Sequence, residues 1–80
     1  MTAPGTVTAL LTSLYEATEP LIQFPRMGRV VPGFQPELRE LIWDRYRIVY
    51  EIQGRTVTII SVFHASMDVE NRLRDLLGEP

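Results

Sequence analysis

One histidine and a few arginines are the residues of this chain that could do chemistry together. His64 ends an apolar run, and three arginines lie in the charged stretch before it: Arg39, Arg45 and Arg47. Histidine can donate or accept a proton near neutral pH, and the planar guanidinium group of arginine binds phosphate and carboxylate groups well. Together with Glu51, these side chains form the one set in the sequence that could transfer protons beside an anionic group.

The same side chains also have a purely structural interpretation. His64 could close its strand with a hydrogen bond to a backbone carbonyl. Arg39 and Arg47 could pair with glutamates across a sheet, with each pair contributing about 0.2–1 kcal/mol. Tyr46 and Tyr50 could stack nucleobases or fill the helix-facing side of the sheet. The residue types alone leave both interpretations open.

Length and composition describe one small domain without metal sites. The 80 residues make a single domain over residues 1–80, of which the small, turn-prone residues 1–5 are expected to be frayed. The chain contains no cysteine, which excludes disulfides and thiolate metal sites, and its single histidine does not make a closed zinc site. We therefore expect no metal and no cofactor.

Charge and hydropathy exclude further classes of function. The formal net charge is −2 and the pI is about 5.2. All eight basic residues are arginine. An acidic chain of this kind is a poor candidate for coating nucleic acid nonspecifically. The N-terminal residues lack the pattern of a secretory signal, and the longest apolar runs are far shorter than a membrane span. We therefore expect a cytoplasmic protein that does not enter a membrane.

Hydrophobic periodicity predicts a helix at each end of the chain. An apolar stripe over residues 7–22 predicts an N-terminal helix. Pro20 should interrupt this helix near Thr18–Glu19, because proline removes an amide donor and clashes with the preceding turn. Near the other end, Asp68 and Gly78 should cap a short amphipathic helix that places Val69, Leu73, Leu76 and Leu77 on one side.

Three strands are predicted between the helices. They span residues 39–42, 46–52 and 57–64, with turns at residues 43–45 and 53–54. The last strand is apolar on both faces, which is typical of a central strand. Residues 24–34 contain two glycines and two prolines and predict a rigid surface connector. The expected fold is α+β, with the N-terminal helix packed on a small, twisted antiparallel sheet of three to four strands.

Four short sequence elements follow one another in a characteristic order: Phe24-Pro25-x-x-Gly28-Arg29, Arg39-Glu40-Leu41, Tyr46-Arg47-Ile48-Val49-Tyr50 and Val62-x-His64. From about Thr8 to Asp68, the chain thereby resembles the RelE/ParE superfamily of toxins from type II toxin–antitoxin modules, which include plasmid stabilisation proteins. It is closer to the ParE branch than to the RelE branch.

Two departures from the family pattern stand out. The chain opens at what corresponds to the second helix of the family, without the usual first strand and helix. Met67 stands where family members commonly have an arginine.

The resemblance implies a growth-inhibiting toxin that acts by binding a cellular target and is neutralised by a cognate antitoxin. For a ParE-like toxin the target would be DNA gyrase, and the disordered tail of the antitoxin would fold along the toxin. A first alternative is a RelE-like, ribosome-dependent mRNA endonuclease in which His64, Arg39 and Arg47 are catalytic. A second alternative is a non-toxic interaction module that keeps the fold.

The sequence also suggests where protein partners would bind. Arg26 and Arg29 flank Gly28 and could clamp an acidic segment, while Trp43 and Phe34 lie near turns and are expected to be reachable apolar anchors. Leu10 and Leu14 belong to an apolar stripe without its usual partner helix. We therefore expect an oligomer or a complex with another protein.

Overall fold

The computed structural model describes the backbone of residues 4–78 and the side chains of residues 9–78. One helix precedes and one helix follows a sheet of four strands. In chain order the elements are α1 (Pro4–Thr18), a short 3₁₀ helix (Glu19–Ile22), β1 (Arg29–Val31), β2 (Leu38–Trp43), β3 (Tyr46–Gln53), β4 (Thr56–His64) and α2 (Val69–Leu77). The predicted α+β fold is confirmed.

Helix α1 ends where Pro20 requires it to end. The α-helical hydrogen bonding stops at Thr18, and residues 19–22 continue as a 3₁₀ helix with proline in its first turn. Residues 4 and 5, which the sequence predicts to be frayed, are helical, and residues 1–3 lie outside the described part. One stripe of the helical segment points inward, since Leu14 and Ala17 are half-buried and Leu21 is buried.

The sheet is an antiparallel meander in the order β1-β2-β3-β4. Two tight turns join β2 to β3 and β3 to β4, and their first residues, Asp44 and Gly54, have φ angles of 52° and 59°. Both turns lie where the sequence predicts them. Extended strands place successive side chains on opposite faces, so Ile48 and Tyr50 lie on one face of β3 and Val49 on the other.

Two details of the predicted sheet are wrong. Strand β4 is at the edge of the sheet, and the interior strands are β2 and β3; Ile48, Val49 and Tyr50 of β3 are fully buried. The apolar side chains of β4 do not indicate a central position, since Ile60 and Phe63 pack against the core on one face whereas Val57 and Ile59 line an open groove on the other. The connector also contributes a strand, since β1 pairs with β2 from Arg29 opposite Glu40 to Val31 opposite Leu38.

Helix α2 covers one face of the sheet, which we call the α2 face. Six buried residues form the core there: Val31, Phe34, Leu38, Val49, Val69 and Leu73. The helix is capped as predicted, because the Asp68 side chain accepts a hydrogen bond from the amide of Asn71 and Gly78 adopts the left-handed conformation with φ 73°. Only part of its predicted apolar side is used, since Leu76 and Leu77 are exposed.

The opposite face of the sheet, which we call the α1 face, carries Tyr46, Ile48, Tyr50 and Ile52 of β3. Near one end of this face, α1 and the 3₁₀ helix border a groove together with β3 and β4. None of the helices within residues 4–78 has the length and apolar character needed to cross a bilayer.

Candidate functional site

A buried carboxylate organises two arginines on the α2 face. The Glu40 side chain is 2% exposed, and its Oε1 atom accepts hydrogen bonds from Arg29 and from Arg47 Nη2, the latter at 3.1 Å. Its Oε2 atom is buried and has no hydrogen-bond partner among the described residues. The hydrogen bond and the charge of Glu40 raise the pKa of Arg29 above its usual value.

Arg39 fastens the connector to the sheet. Its side chain is 15% exposed, and its Nε donates to Glu37 Oε2 at 2.9 Å. Its Nη1 donates to the backbone carbonyls of Arg26 and Gly28 at 2.9 and 2.7 Å. Most of the hydrogen-bonding capacity of Arg39 is therefore used inside the protein.

The Tyr50 hydroxyl group holds the same connector from the α1 face. It donates to the carbonyl of Pro25 at 2.6 Å and accepts from the amide of Gly28 at 2.9 Å. Because Tyr50 is fully buried, it is not available to stack a nucleobase.

His64 ends a row of aromatic rings that crosses three strands. Trp43 and Tyr46 stack with their ring centroids 5.6 Å apart, and the His64 ring meets Tyr46 edge-on at 5.8 Å. The Nδ1 atom of His64 lies 2.7 Å from Ser66 Oγ and accepts a hydrogen bond from the Ser66 amide at 3.2 Å. Since Nδ1 is an acceptor, the neutral ring carries its proton on Nε2.

The structure does not bring the three predicted catalytic residues together. Arg47 lies on the α2 face, where it bonds Glu40. Its neighbour on β3, Tyr46, lies on the α1 face, and His64 lies on that same face because it is opposite Tyr46 on β4. Arg39 lies on the same face as His64, but its partner on β3 is Tyr50, whereas the partner of His64 is Tyr46. These two tyrosines are four residues apart, which separates Arg39 from His64 by about 13 Å along the strand.

The predicted partner-binding residues differ in their accessibility. Arg26 and Arg29 have exposed side chains, Leu10 is exposed, and Trp43 and Leu14 are half-buried. Phe34 is the exception. It is 6% exposed in the core, and the guanidinium carbon of Arg74 lies 5.5 Å from its ring centroid. The expectation that Phe34 is reachable is wrong, because its neighbouring turn folds back onto α2.

Sequence reasoning did not find the groove on the α1 face. The groove has a volume of about 590 Å³, and its apolar lining comes from both sides: Tyr15, Leu21 and Ile22 from the helical segment, and Ile52, Val57 and Ile59 from β3 and β4. The available signal was the spacing of Tyr15 and Ile22, which are seven residues apart, as residues on one face of a helix are; the structure places them on either side of the break after Thr18.

The fold and these contacts can be compared with known proteins. The family model described as the ParE toxin of the type II toxin–antitoxin system parDE matches residues 4–69. The chain belongs to the ParE toxin family. No curated protein and no solved structure gave a significant match. The ParE match includes Arg39, the Glu40 cluster, the Tyr50 contacts and His64, and it stops at the first residue of α2. Membership of the family implies the toxin of a type II toxin–antitoxin system, with a cognate antitoxin as its partner.

Proposed function

We propose that this ParE-family protein acts in the cytoplasm by binding a cellular target, DNA gyrase by family resemblance, and not by cleaving RNA. The observation that carries the proposal is the use of Arg39 and Arg47 in internal contacts on opposite faces of the sheet. Cleavage of RNA by attack of a 2′-hydroxyl group needs proton-transfer groups and cations around one phosphate. His64 lies about 13 Å along the strands from Arg39 and on the opposite face from Arg47, so the three predicted catalytic residues do not surround one phosphate.

The cognate antitoxin would bind through apolar anchors with arginines at the rim. Trp43, Leu10 and Leu14 provide apolar surface that is at least partly accessible. Arg26 and Arg29 expose 72% and 65% of their side chains and can meet carboxylates of an acidic tail. Arg39 is mostly enclosed, so we assign the rim to the other two arginines. Binding of this kind weakens as salt increases.

Induced expression without the antitoxin tests the mode of action. We expect growth arrest with induction of the DNA-damage response, and an equal arrest by His64→Ala, because a binding toxin does not need the imidazole group. Arg72→Ala serves as the control and should arrest growth equally, since Arg72 is exposed on α2 and lies outside the candidate set around His64.

Purified components separate the two mechanisms directly. The protein should inhibit supercoiling by gyrase and should leave mRNA intact on translating ribosomes. Ribosome-dependent cleavage that His64→Ala abolishes would overturn the proposal in favour of the endonuclease. Normal growth during expression of a folded protein would instead favour the non-toxic interaction module.

A further inference from the structure

The outer edge of β4 is long and carries no charge. The strand spans nine residues, Thr56–His64, and consists of β-branched, small and aromatic residues followed by the terminal histidine. Natural edge strands are usually blunted by lysine, proline or other devices that prevent pairing with a further strand. Within residues 4–78 no strand pairs with this edge. The only such feature of β4 is a β-bulge. Val49 and Tyr50 of β3 lie opposite Ser61 and Ile59, so that Ile60 of β4 is the extra, unpaired residue.

The part of β4 before the bulge borders the groove on the α1 face. Val57 and Ile59 line the groove from the strand, and Tyr15 and Ile22 line it from the helical segment. Tyr15 is 78% exposed and Ile22 is 82% exposed, which is unusual for large apolar side chains that lie beside an open strand. An occupant therefore has to pair with backbone groups and also supply apolar side chains.

We propose that the occupant is a second copy of this chain, paired antiparallel along residues 57–59, before the bulge residue Ile60. An antiparallel pair of identical segments is symmetric about its middle residue, so Thr58 would lie opposite Thr58 of the second copy. Val57 would then lie opposite Ile59 of the second copy, with both side chains on the α1 face. The arrangement is a two-fold interface in which the same patch serves both copies, and the two sheets join into one.

Charge favours a second copy over an acidic partner at this edge. Residues 56–60 are uncharged, so two copies meet without like charges opposite each other. Of the basic residues only Arg55 lines the groove, where Glu19 lies as well, while the exposed guanidinium groups of Arg26 and Arg29 lie elsewhere. An acidic antitoxin tail would have little to bind here, whereas an identical uncharged segment matches the part of the edge before the bulge.

Single cysteines test both the partner and the register, because the chain has no cysteine of its own. In the proposed pair the Thr58 Cα atoms would be about 4.5–5.5 Å apart, which is within the range of a disulfide. Thr58→Cys should therefore oxidise to a covalent dimer. Thr56→Cys is the matched control in the same strand, and its two Cα atoms would be about 13 Å apart. The Thr56→Cys protein should remain uncrosslinked. The proposal would be overturned if both variants crosslinked equally, or if Thr58→Cys did not crosslink at all.

Sedimentation velocity on the full chain gives an independent result. The wild-type protein should sediment as a dimer at micromolar concentration, and Thr58→Lys should sediment as a monomer because it places two ammonium groups against each other at the symmetry axis. Val30→Lys introduces a lysine on β1, the other edge strand, and should remain dimeric.

Circular dichroism checks that each variant is folded, which is expected because Thr58 and Val30 are exposed. A monomeric wild type, or a dimeric Thr58→Lys protein, would contradict the interface. Neither result bears on toxicity, so this proposal can fail while the proposed function stands.

Discussion

At the scale of single residues, the Tyr50 hydroxyl group explains why the Phe24-Pro25-x-x-Gly28 and Tyr46–Tyr50 elements occur together. The hydroxyl donates to the Pro25 carbonyl and accepts from the Gly28 amide, so it satisfies two backbone groups that the bend of the connector leaves without partners. Gly28 is required for a second reason. A Cβ atom at this position would lie 2.5 Å from the Tyr50 hydroxyl oxygen and 2.7 Å from the Glu40 carbonyl oxygen.

The first prediction is that Gly28→Ala and Tyr50→Phe are coupled. Each change alone should destabilise the protein, by about 1–3 kcal/mol from overpacking for Gly28→Ala and by about 1–3 kcal/mol from unpaired buried groups for Tyr50→Phe. In the double variant the loss should be smaller than the sum, because removing the hydroxyl removes the closest of three clashing atoms and leaves the Glu40 carbonyl oxygen and the Tyr50 Cε1 atom. Urea unfolding of the four proteins measures the coupling.

A matched pair controls this cycle. Gly54 has φ 59° with no atom within 4 Å of a built Cβ, so Gly54→Ala adds the same methyl group without a clash. Its effect should add independently to that of Tyr50→Phe. Strict additivity in the Gly28 cycle would contradict the assigned contact.

The arginines show what residue types and spacing can and cannot predict. The sequence indicates that Arg39 and Arg47 could pair with glutamates, and the structure provides such pairs with Glu37 and Glu40. The sequence could not predict that Glu40, a direct neighbour of Arg39 in the chain, points to the other face and bonds Arg29 and Arg47 instead. Strand alternation separates these neighbours, whereas the pairing of three strands brings the distant residues together.

At the scale of elements, features controlled by local chemistry are predicted well. Pro20 ends α1, Asp68 and Gly78 cap α2, and two tight turns join β2, β3 and β4. The position of β4 is not predicted, because strand order depends on which elements meet across the whole fold. Its apolar side chains contact the core on one face and line the groove on the other, which gives a pattern that a central strand would also give.

The second prediction concerns the packing of α2. Leu73 is fully buried in the core of the α2 face, whereas Leu76, one turn along the same helix, is 58% exposed. Leu73→Ala should lower the free energy of unfolding by about 2–5 kcal/mol, because it leaves a cavity that the sheet cannot close. Leu76→Ala is the matched change and should stay within about 0.5 kcal/mol of the wild type. Equal losses in urea unfolding would mean that α2 docks by a different face.

At the scale of the whole molecule, the two faces of the sheet differ in what they leave accessible. The α2 face is closed by the core, and Glu40 neutralises part of the charge of its arginines. The α1 face leaves apolar surface on the helical segment, in the groove and at the Trp43 end of the sheet. A chain of about 80 residues buries only roughly 60–65% of its unfolded surface, so partners that bind the folded form add appreciably to its stability.

The last prediction identifies the anchor for the antitoxin and rests on the proposed function. Trp43 is half-buried and stacks on Tyr46 at the end of the sheet, so its ring is held in place and remains reachable. Trp43→Ala should weaken binding of the purified product of the adjacent gene by about 2 kcal/mol or more, roughly thirtyfold, as for a central aromatic anchor.

Isothermal titration calorimetry measures the affinity, and a thermal melt of the free variant measures its stability. The melt should show a folded but less stable variant, which has lost about 0.5–1.5 kcal/mol of stacking energy in addition to the contribution of the ring's buried area. Ile42→Ala, a neighbouring change on the opposite face of β2 where the side chain is 62% exposed, should leave the affinity unchanged. A folded Trp43→Ala protein that binds as tightly as the wild type would place the antitoxin on another surface.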